Sequence, residues 1–256
     1  MSDKATVQSG QRMLAILDFM AQSAEPVSIK EISEALLLPP STVHRLLATL
    51  AAGRLVDQGK DRRYSLGVKL IALGHVAQER LDLRSVSLDT MRELARETQL
   101  EVNLAQLDQS DILYLEKVAE GAPFSLNIRV GQRRPAYCRA LGKALLAFLP
   151  PEEARRRLGS KLPRMTPQTI TDPEALMEHL ATVRQLGYAV DREEAESGCV
   201  CVAAPIRDAR GEVVAALSIS GPSGQMASMS EAHIAGMIKD AANAISARLG
   251  YDAHRS

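Results

Sequence analysis

Several residues in this chain have types and spacings that could do chemistry. Cys199 and Cys201 stand two apart, which puts both thiols on one face of a strand, and C-x-C invites a metal or redox role. A zinc site would need further cysteine or histidine at matching spacing, and His44, His75, His179, His233 and His254 offer none. Cys201 therefore reads as a small, weak donor, with Cys138 near the same opening. Asp191, with Glu193, Glu194 and Glu196 close behind, suggests paired carboxylates for acid–base work. The plainer reading makes Glu193 to Glu196 a solvated turn and leaves Asp191 to bond a ligand hydroxyl or loop amides. Ser218 and Ser220 alternate with Leu217 and Ile219, so two hydroxyls share one face of an apolar strand. Strand serines commonly bond neighbouring backbone, but two facing inward can fix a bound acid. Arg139 stands just before Ala140-Leu141-Gly142, a helix start whose free N–H groups and positive dipole end suit a carboxylate.

A second group lies near the N-terminus. Over 40–52, Val43, Leu46, Leu47 and Leu50 fall on one helical face, leaving Ser41, Arg45, Ala48 and Ala52 opposite, flanked by Thr42, His44 and Thr49. Such a face, with donors first and alanines behind, can enter a major groove. Arg45 is the best base-reading candidate, because its planar fork matches guanine O6 and N7, while Ser41 and Thr42 suit a phosphate. Lys60, Arg62 and Arg63 follow on a short hairpin, where a wing would reach phosphate or the minor groove. The alternative for the helix is an ordinary solvated face.

The elements needed to position these residues can be read from hydrophobic period. Ser9 is placed to cap a helix to about Gln22, and Ser28 with Glu31 forms a capping box before Ile29 to Leu36. Pro39-Pro40 ends that helix, and the next runs to Ala52 before Gly53. Strand-like pieces at 55–58 and 63–66 flank the Gly59-Lys60-Asp61 turn, completing a winged helix-turn-helix. A linker helix is expected from Gly67 to Glu79 and another helix from Ser85 to Thr98. Strands follow at Val102 to Leu107, Ile112 to Val118 and Phe124 to Val130; helices at Ala140 to Phe148 and Pro173 to Leu186; strands at Val200 to Arg207 and Val213 to Ser220; and a closing helix from Ser230 to Leu249. The fold class is α+β: a winged helix-turn-helix over 1–66, a linker helix over 67–84, and a mixed α/β domain over 85–256.

Composition sets the limits. At 256 residues and 46% apolar content the chain exceeds the roughly 150 residues of one typical domain. Its 31 Lys+Arg balance 31 Asp+Glu, so any nucleic-acid surface must be local. Aromatics at 3% disfavour base stacking as the means of binding. The odd cysteine count, with no transmembrane run and no signal-peptide pattern, points to the cytoplasm and away from membranes.

At these residues the chain resembles the IclR family of bacterial transcription regulators, in order from Ser9 to Tyr251. Leu38-Pro39-Pro40-Ser41-Thr42-Val43-His44-Arg45-Leu46-Leu47 is similar to its recognition-helix motif, with Pro40 where a lysine is common. Tyr64-Ser65-Leu66-Gly67, Ala140-Leu141-Gly142-Lys143-Ala144, Ala203-Ala204-Pro205-Ile206 and Leu217-Ser218-Ile219-Ser220-Gly221-Pro222 resemble four further family segments. The resemblance implies a GAF-like effector domain for a small organic acid, operator DNA as partner, and a dimer or dimer of dimers. It implies no catalytic residue, cofactor or metal. Its effector pocket would take in the start of the Ala140 helix, Asp191, Cys201, Ser218 and Ser220. Arg139 replaces a small or hydroxyl residue and Gln225 a basic one; Pro135-Ala136-Tyr137-Cys138 is similar to regulators of aromatic-acid breakdown, making an aromatic acid the favoured effector.

Two other functions stand beside a ligand-responsive regulator. One is an enzyme using Asp191 or the cysteines, disfavoured because G-x-S-x-G, a Walker A pattern and H-E-x-x-H are all missing. The other is a sensor working only through protein partners.

Overall fold

The computed structural model describes residues 7–73, 82–122 and 124–252. The chain divides into two compact units, Met1–Arg80 and Leu81–Ser256.

The first unit holds α1 (Gln8–Gln22), α2 (Ile29–Leu36) and α3 (Pro40–Ala52), then the antiparallel pair β1 (Val56–Gln58) and β2 (Tyr64–Leu66). Ile16, Ile32, Val43, Leu46, Leu47 and Leu50 close one core with Val56 and Tyr64, so the apolar stripe of α3 is turned inward. Ser28 caps α2 through the expected box with Glu31. Ser9 does not cap α1: the helix starts two residues earlier than such a cap would place it, with Val7 at its N-cap and no side-chain cap bond. Between α2 and α3 the chain reverses at Leu37, whose φ of 52° lies in the left-handed region and whose side chain is 90% exposed. Of the expected linker helix, residues 69–73 are helical and the rest lies outside the described residues.

In the second unit a six-stranded antiparallel sheet runs β5-β4-β3-β8-β7-β6, with β3 (Glu101–Asp108), β4 (Asp111–Val118), β5 (Arg133–Pro135), β6 (Ala189–Arg192), β7 (Cys199–Arg207) and β8 (Val213–Pro222). Strand alternation gives the sheet two characters. Val102, Leu104, Val202, Leu217 and Ile219 face α4 (Leu83–Thr98) and α9 (Glu231–Arg248), an apolar layer. The opposite face lies under α5 (Ala140–Leu146) and α7 (Pro173–Leu186), with α6 (Pro151–Leu158) beside them. A short α8 (Ser223–Ser228) follows β8.

The strand expected over Phe124 to Val130 does not form. Leu126 and Ile128 are buried alternately, as in a strand, but side chains take their backbone groups: Lys117 Nζ donates to both carbonyl oxygens, at 2.5 and 3.3 Å, and Glu101 accepts from Leu126 N–H at 2.9 Å. The edge strand is the shorter β5 that follows.

Leu37 yields a test of the helix-turn-helix. A left-handed leucine carries a steric cost that glycine lacks, and this side chain has little packing to lose. Leu37→Gly should stabilise the N-terminal unit by about 0.5–1 kcal/mol after the extra backbone entropy of glycine is subtracted. Native-state hydrogen exchange in the full chain measures this; lower protection in α2 and α3 would contradict the assigned turn.

Candidate functional site

The exposed face of α3 carries Ser41, His44, Arg45, Ala48, Thr49 and Ala52, with Thr42 half-buried beside them. Thr49 turns its hydroxyl back to Arg45 O at 3.1 Å, leaving its methyl group outward. At the hairpin tip Gly59 N–H donates to Arg63 O (2.8 Å) and Arg62 N–H to Gly59 O (3.0 Å), holding Lys60 and Arg62 out in solvent. His44, Arg45, Lys60 and Arg62 form no ion pair among the described residues. Arg63 differs. It donates to Pro26 O at 2.5 Å and pairs with Glu31 at 3.2 and 3.4 Å, tying the hairpin to α2. Glu31 is thereby shared between the helix cap and the wing, and its carboxyl is held below the ordinary range by the Ser28 amide and hydroxyl and by Arg63.

The polar residues of the second unit converge on the sheet face under α5. Cross-strand pairing places Glu101 beside Ser220, Ser220 beside Cys201, and Cys201 beside Asp191, a polar row across β3, β8, β7 and β6. Asn103 pairs with Ser218 in the next row, and Lys117 with Asn103. Ser218 and Ser220 are both buried. Cys199 and Cys201 bring their sulfurs to 3.8 Å, and among the described residues no group of three or more His, Cys, Asp or Glu could hold a metal. The neighbouring Cys199 and burial push the Cys201 thiol well up, and burial pushes Cys138 to about 11, so neither is a ready thiolate nucleophile.

Above this face α5 begins without a side-chain cap, and the N–H groups of Ala140, Leu141 and Gly142 have no partner among the described residues. Gly142 is required by packing: a Cβ there would lie 2.1 Å from Ala136 O. The glycine permits close approach of the helix to the Pro135–Cys138 turn. Arg139, at the N-cap, is half-buried, with Tyr114, Cys138, Cys201 and Asp191 as electrostatic neighbours. It forms no ion pair among the described residues, and its Nε is buried without a partner.

Asp191 accepts from the N–H groups of Glu194 (2.7 Å) and Ala195 (3.3 Å), the loop-amide role. Burial pushes its carboxyl up to about 6, partly countered by Lys143 and these amides. The solvated turn holds only in part. Glu194 is buried: its carboxylate accepts from Lys143 Nζ at 2.5 Å, and its carbonyl oxygen accepts from Thr169 Oγ1 at 2.7 Å. Residue order assigns no site role to Lys143, Glu101, Asn103 or Lys117 and puts Glu194 in a solvated turn, whereas all five are buried or half-buried here. Charged or amide residues at alternate positions of otherwise apolar strands were the available signal for Glu101 and Asn103.

A profile described as the IclR helix-turn-helix domain matches residues 9–60, and one described as the bacterial transcriptional regulator IclR C-terminal domain matches 75–247. The chain belongs to the IclR family. It is similar to the HTH-type transcriptional regulators KdgR and XynR of Escherichia coli K12, at 37% and 36% identity over 96% of this chain and 94% and 99% of theirs. The Agobacterium tumefaciens repressor BlcR superposes with a TM-score of 0.84 at 28% identity, covering 97% of this chain and 99% of that one. An IclR homologue of Microbacterium hydrocarbonoxydans, solved with 4-hydroxybenzoate, has a TM-score of 0.61 at 29% identity, covering 94% and 99%. This IclR-family chain is thus a DNA-binding transcription regulator with an effector-binding domain, and the enzyme reading falls away: the relatives it matches are regulators.

Asp191 supplies a pH test of the buried row. Its folded value lies above the ordinary 3.8, so its ionisation costs stability: the cost is absent below about pH 4 and complete once the pH has risen past 6. Asp191→Asn keeps an acceptor for the two amides and should stabilise the protein by about 1–3 kcal/mol at pH 8 and hardly at all at pH 4. Urea unfolding at both pH values decides; an equal effect at each would contradict a buried, elevated Asp191.

Proposed function

We propose that this regulator binds a near-palindromic operator as a dimer or dimer of dimers in the cytoplasm, and that a small organic acid bound under α5 modulates that binding. The half-buried Arg139, with a buried Nε lacking any partner and no ion pair among the described residues although Asp191 is an electrostatic neighbour, carries the effector reading. A half-buried guanidinium beside open helix amides is a place for an anion. The ligand carboxylate meets Arg139 and the N–H groups of Ala140, Leu141 and Gly142, and its remainder faces Asp191, Cys201, Ser218 and Ser220. The 4-hydroxybenzoate complex of the Microbacterium homologue supports an aromatic acid. Ionised Asp191 repels a carboxylate, so the acid group points toward the helix and binding tightens as the pH falls through about 6.

On the DNA side, Arg45 reads a base edge, Ser41, Thr42, His44 and Thr49 line the groove, and Lys60 and Arg62 approach phosphate. Arg63 is the tether of the wing, because a phosphate contact would break its pair with Glu31. Over 1–65, Lys4, Arg12, Lys30, Arg45, Arg54, Lys60, Arg62 and Arg63 face Asp3, Asp18, Glu25, Glu31, Glu34, Asp57 and Asp61, so one near-neutral unit holds DNA weakly and two-fold pairing is needed.

Shift assays against operator variants and salt test the DNA face. Arg45→Ala should relax the preference at one base pair, costing about 1–3 kcal/mol. Lys60→Ala with Arg62→Ala should weaken binding to all sequences alike and flatten the salt slope; an unchanged slope would remove the wing from the DNA. For the effector, calorimetry on Ser218→Ala with Ser220→Ala should show acid binding lost, and unaltered affinity would take both serines out of the site.

A further inference from the structure

Asn103 is 1% exposed, and its side-chain oxygen Oδ1 is buried with no hydrogen-bond partner. Its orientation is fixed by its neighbours. Nδ2 donates to Glu101 Oε1 at 2.9 Å, while Glu101 Oε2 accepts from Ser125 Oγ (2.7 Å) and Leu126 N–H (2.9 Å) and lies 3.1 Å from Lys117 Nζ. A carboxylate surrounded by donors can only accept, so the amide must turn its NH2 to Glu101 and its carbonyl oxygen away. A bare acceptor in a buried site is costly unless something supplies a donor.

That acceptor belongs to the face of the sheet described above. Asn103 is the cross-strand partner of Ser218, whose hydroxyl makes no side-chain hydrogen bond among the described residues. Arg139 has its electrostatic neighbours on strands to either side of the β3–β8 pair, Tyr114 on β4 and Cys201 and Asp191 on β7 and β6. A ligand whose acid group meets Arg139 therefore has Asn103 and Ser218 below it. The acceptors here are not equivalent. One oxygen of Asp191 is taken by two loop amides, whereas Asn103 Oδ1 has no donor.

We propose that Asn103 is an effector-contacting, specificity-determining residue whose side-chain oxygen accepts a hydrogen bond from a hydroxyl of the bound acid, so that the pocket selects hydroxy acids over their deoxy counterparts. This rests on the acid-effector reading and narrows it to one ligand class. Ser218 can accept or donate as the ligand requires; Asn103, locked by Glu101, can only accept at the free atom. A site built around such an acceptor discriminates against a ligand lacking the donor, because the oxygen is then left unpaired beside it.

Calorimetry on the full chain with acids differing by one hydroxyl provides the test: 4-hydroxybenzoate against benzoate, 3-hydroxybenzoate against benzoate, lactate against propionate, glycolate against acetate. In the tightest pair the hydroxy acid should bind about 10- to 100-fold better. Asn103→Leu should bring that ratio near one while the deoxy acid keeps its affinity, a split that mere loosening of the fold would not produce. Asn103→Ser, which is smaller and still polar, should also reduce the ratio and serves if the leucine variant fails to fold. A ratio near one in the unmodified protein, as expected if a buried water satisfies Oδ1, or a preference that survives both substitutions, overturns the proposal. Acids that bind through Arg139 without hydroxyl preference overturn this inference alone; no binding by any acid of the panel overturns the acid-effector reading as well.

Discussion

The effector domain is organised around one buried cation. Lys143, fully buried in α5, donates from Nζ to Val190 O at 2.6 Å and to Glu194 at 2.5 Å. These bonds join the helix over the sheet to edge strand β6 and to the loop that follows it. Leaving one partner of such a pair alone in the interior costs several kcal/mol, about 3–5 in comparable cases. With Gly142 against Ala136 on the other side, the start of α5 is fixed in height and direction. Arg139, Asp191 and the serine pair all take their places relative to that helix.

The cations of this regulator separate by what they meet. Lys143 and Arg63 each have a carboxylate in contact and hold elements together. Arg45, Lys60 and Arg62 have none among the described residues and lie in solvent. Arg139 is half-buried without an ion pair among the described residues, as is Arg134, and each has a buried Nε without a partner. Charge near zero over the whole chain says nothing of this, because the same side-chain type is paired, solvent-exposed or half-buried without an ion pair according to its neighbours.

Much of this was readable from residue order. The stripe of Val43, Leu46, Leu47 and Leu50 fixed the inner face of α3, and the alternation of Leu217, Ser218, Ile219 and Ser220 put both hydroxyls on one side of β8. What stayed hidden depended on distant partners. Nothing near Arg63 in sequence announces its pairing with Glu31, thirty-two positions away. Phe124 to Val130 read as a strand because burial alternates there, although Glu101 and Lys117 replace a neighbouring strand as partners. Glu194 looked solvated until the fold brought Lys143 to it from fifty-one residues upstream. Local period predicts faces; long-range polar pairing has no local signature.

The most direct measurement is a crystal structure of the full chain with whichever small carboxylic acid binds it most tightly in calorimetry. The carboxylate should lie within hydrogen-bond distance of the Arg139 guanidinium and the N–H groups at the start of α5, its remainder over Asn103, Ser218, Ser220, Cys201 and Asp191. An acid found instead in the separate cavity of about 540 Å³ lined by Val200, Met226 and Ile234, with Arg139 making no contact to it, would contradict the account.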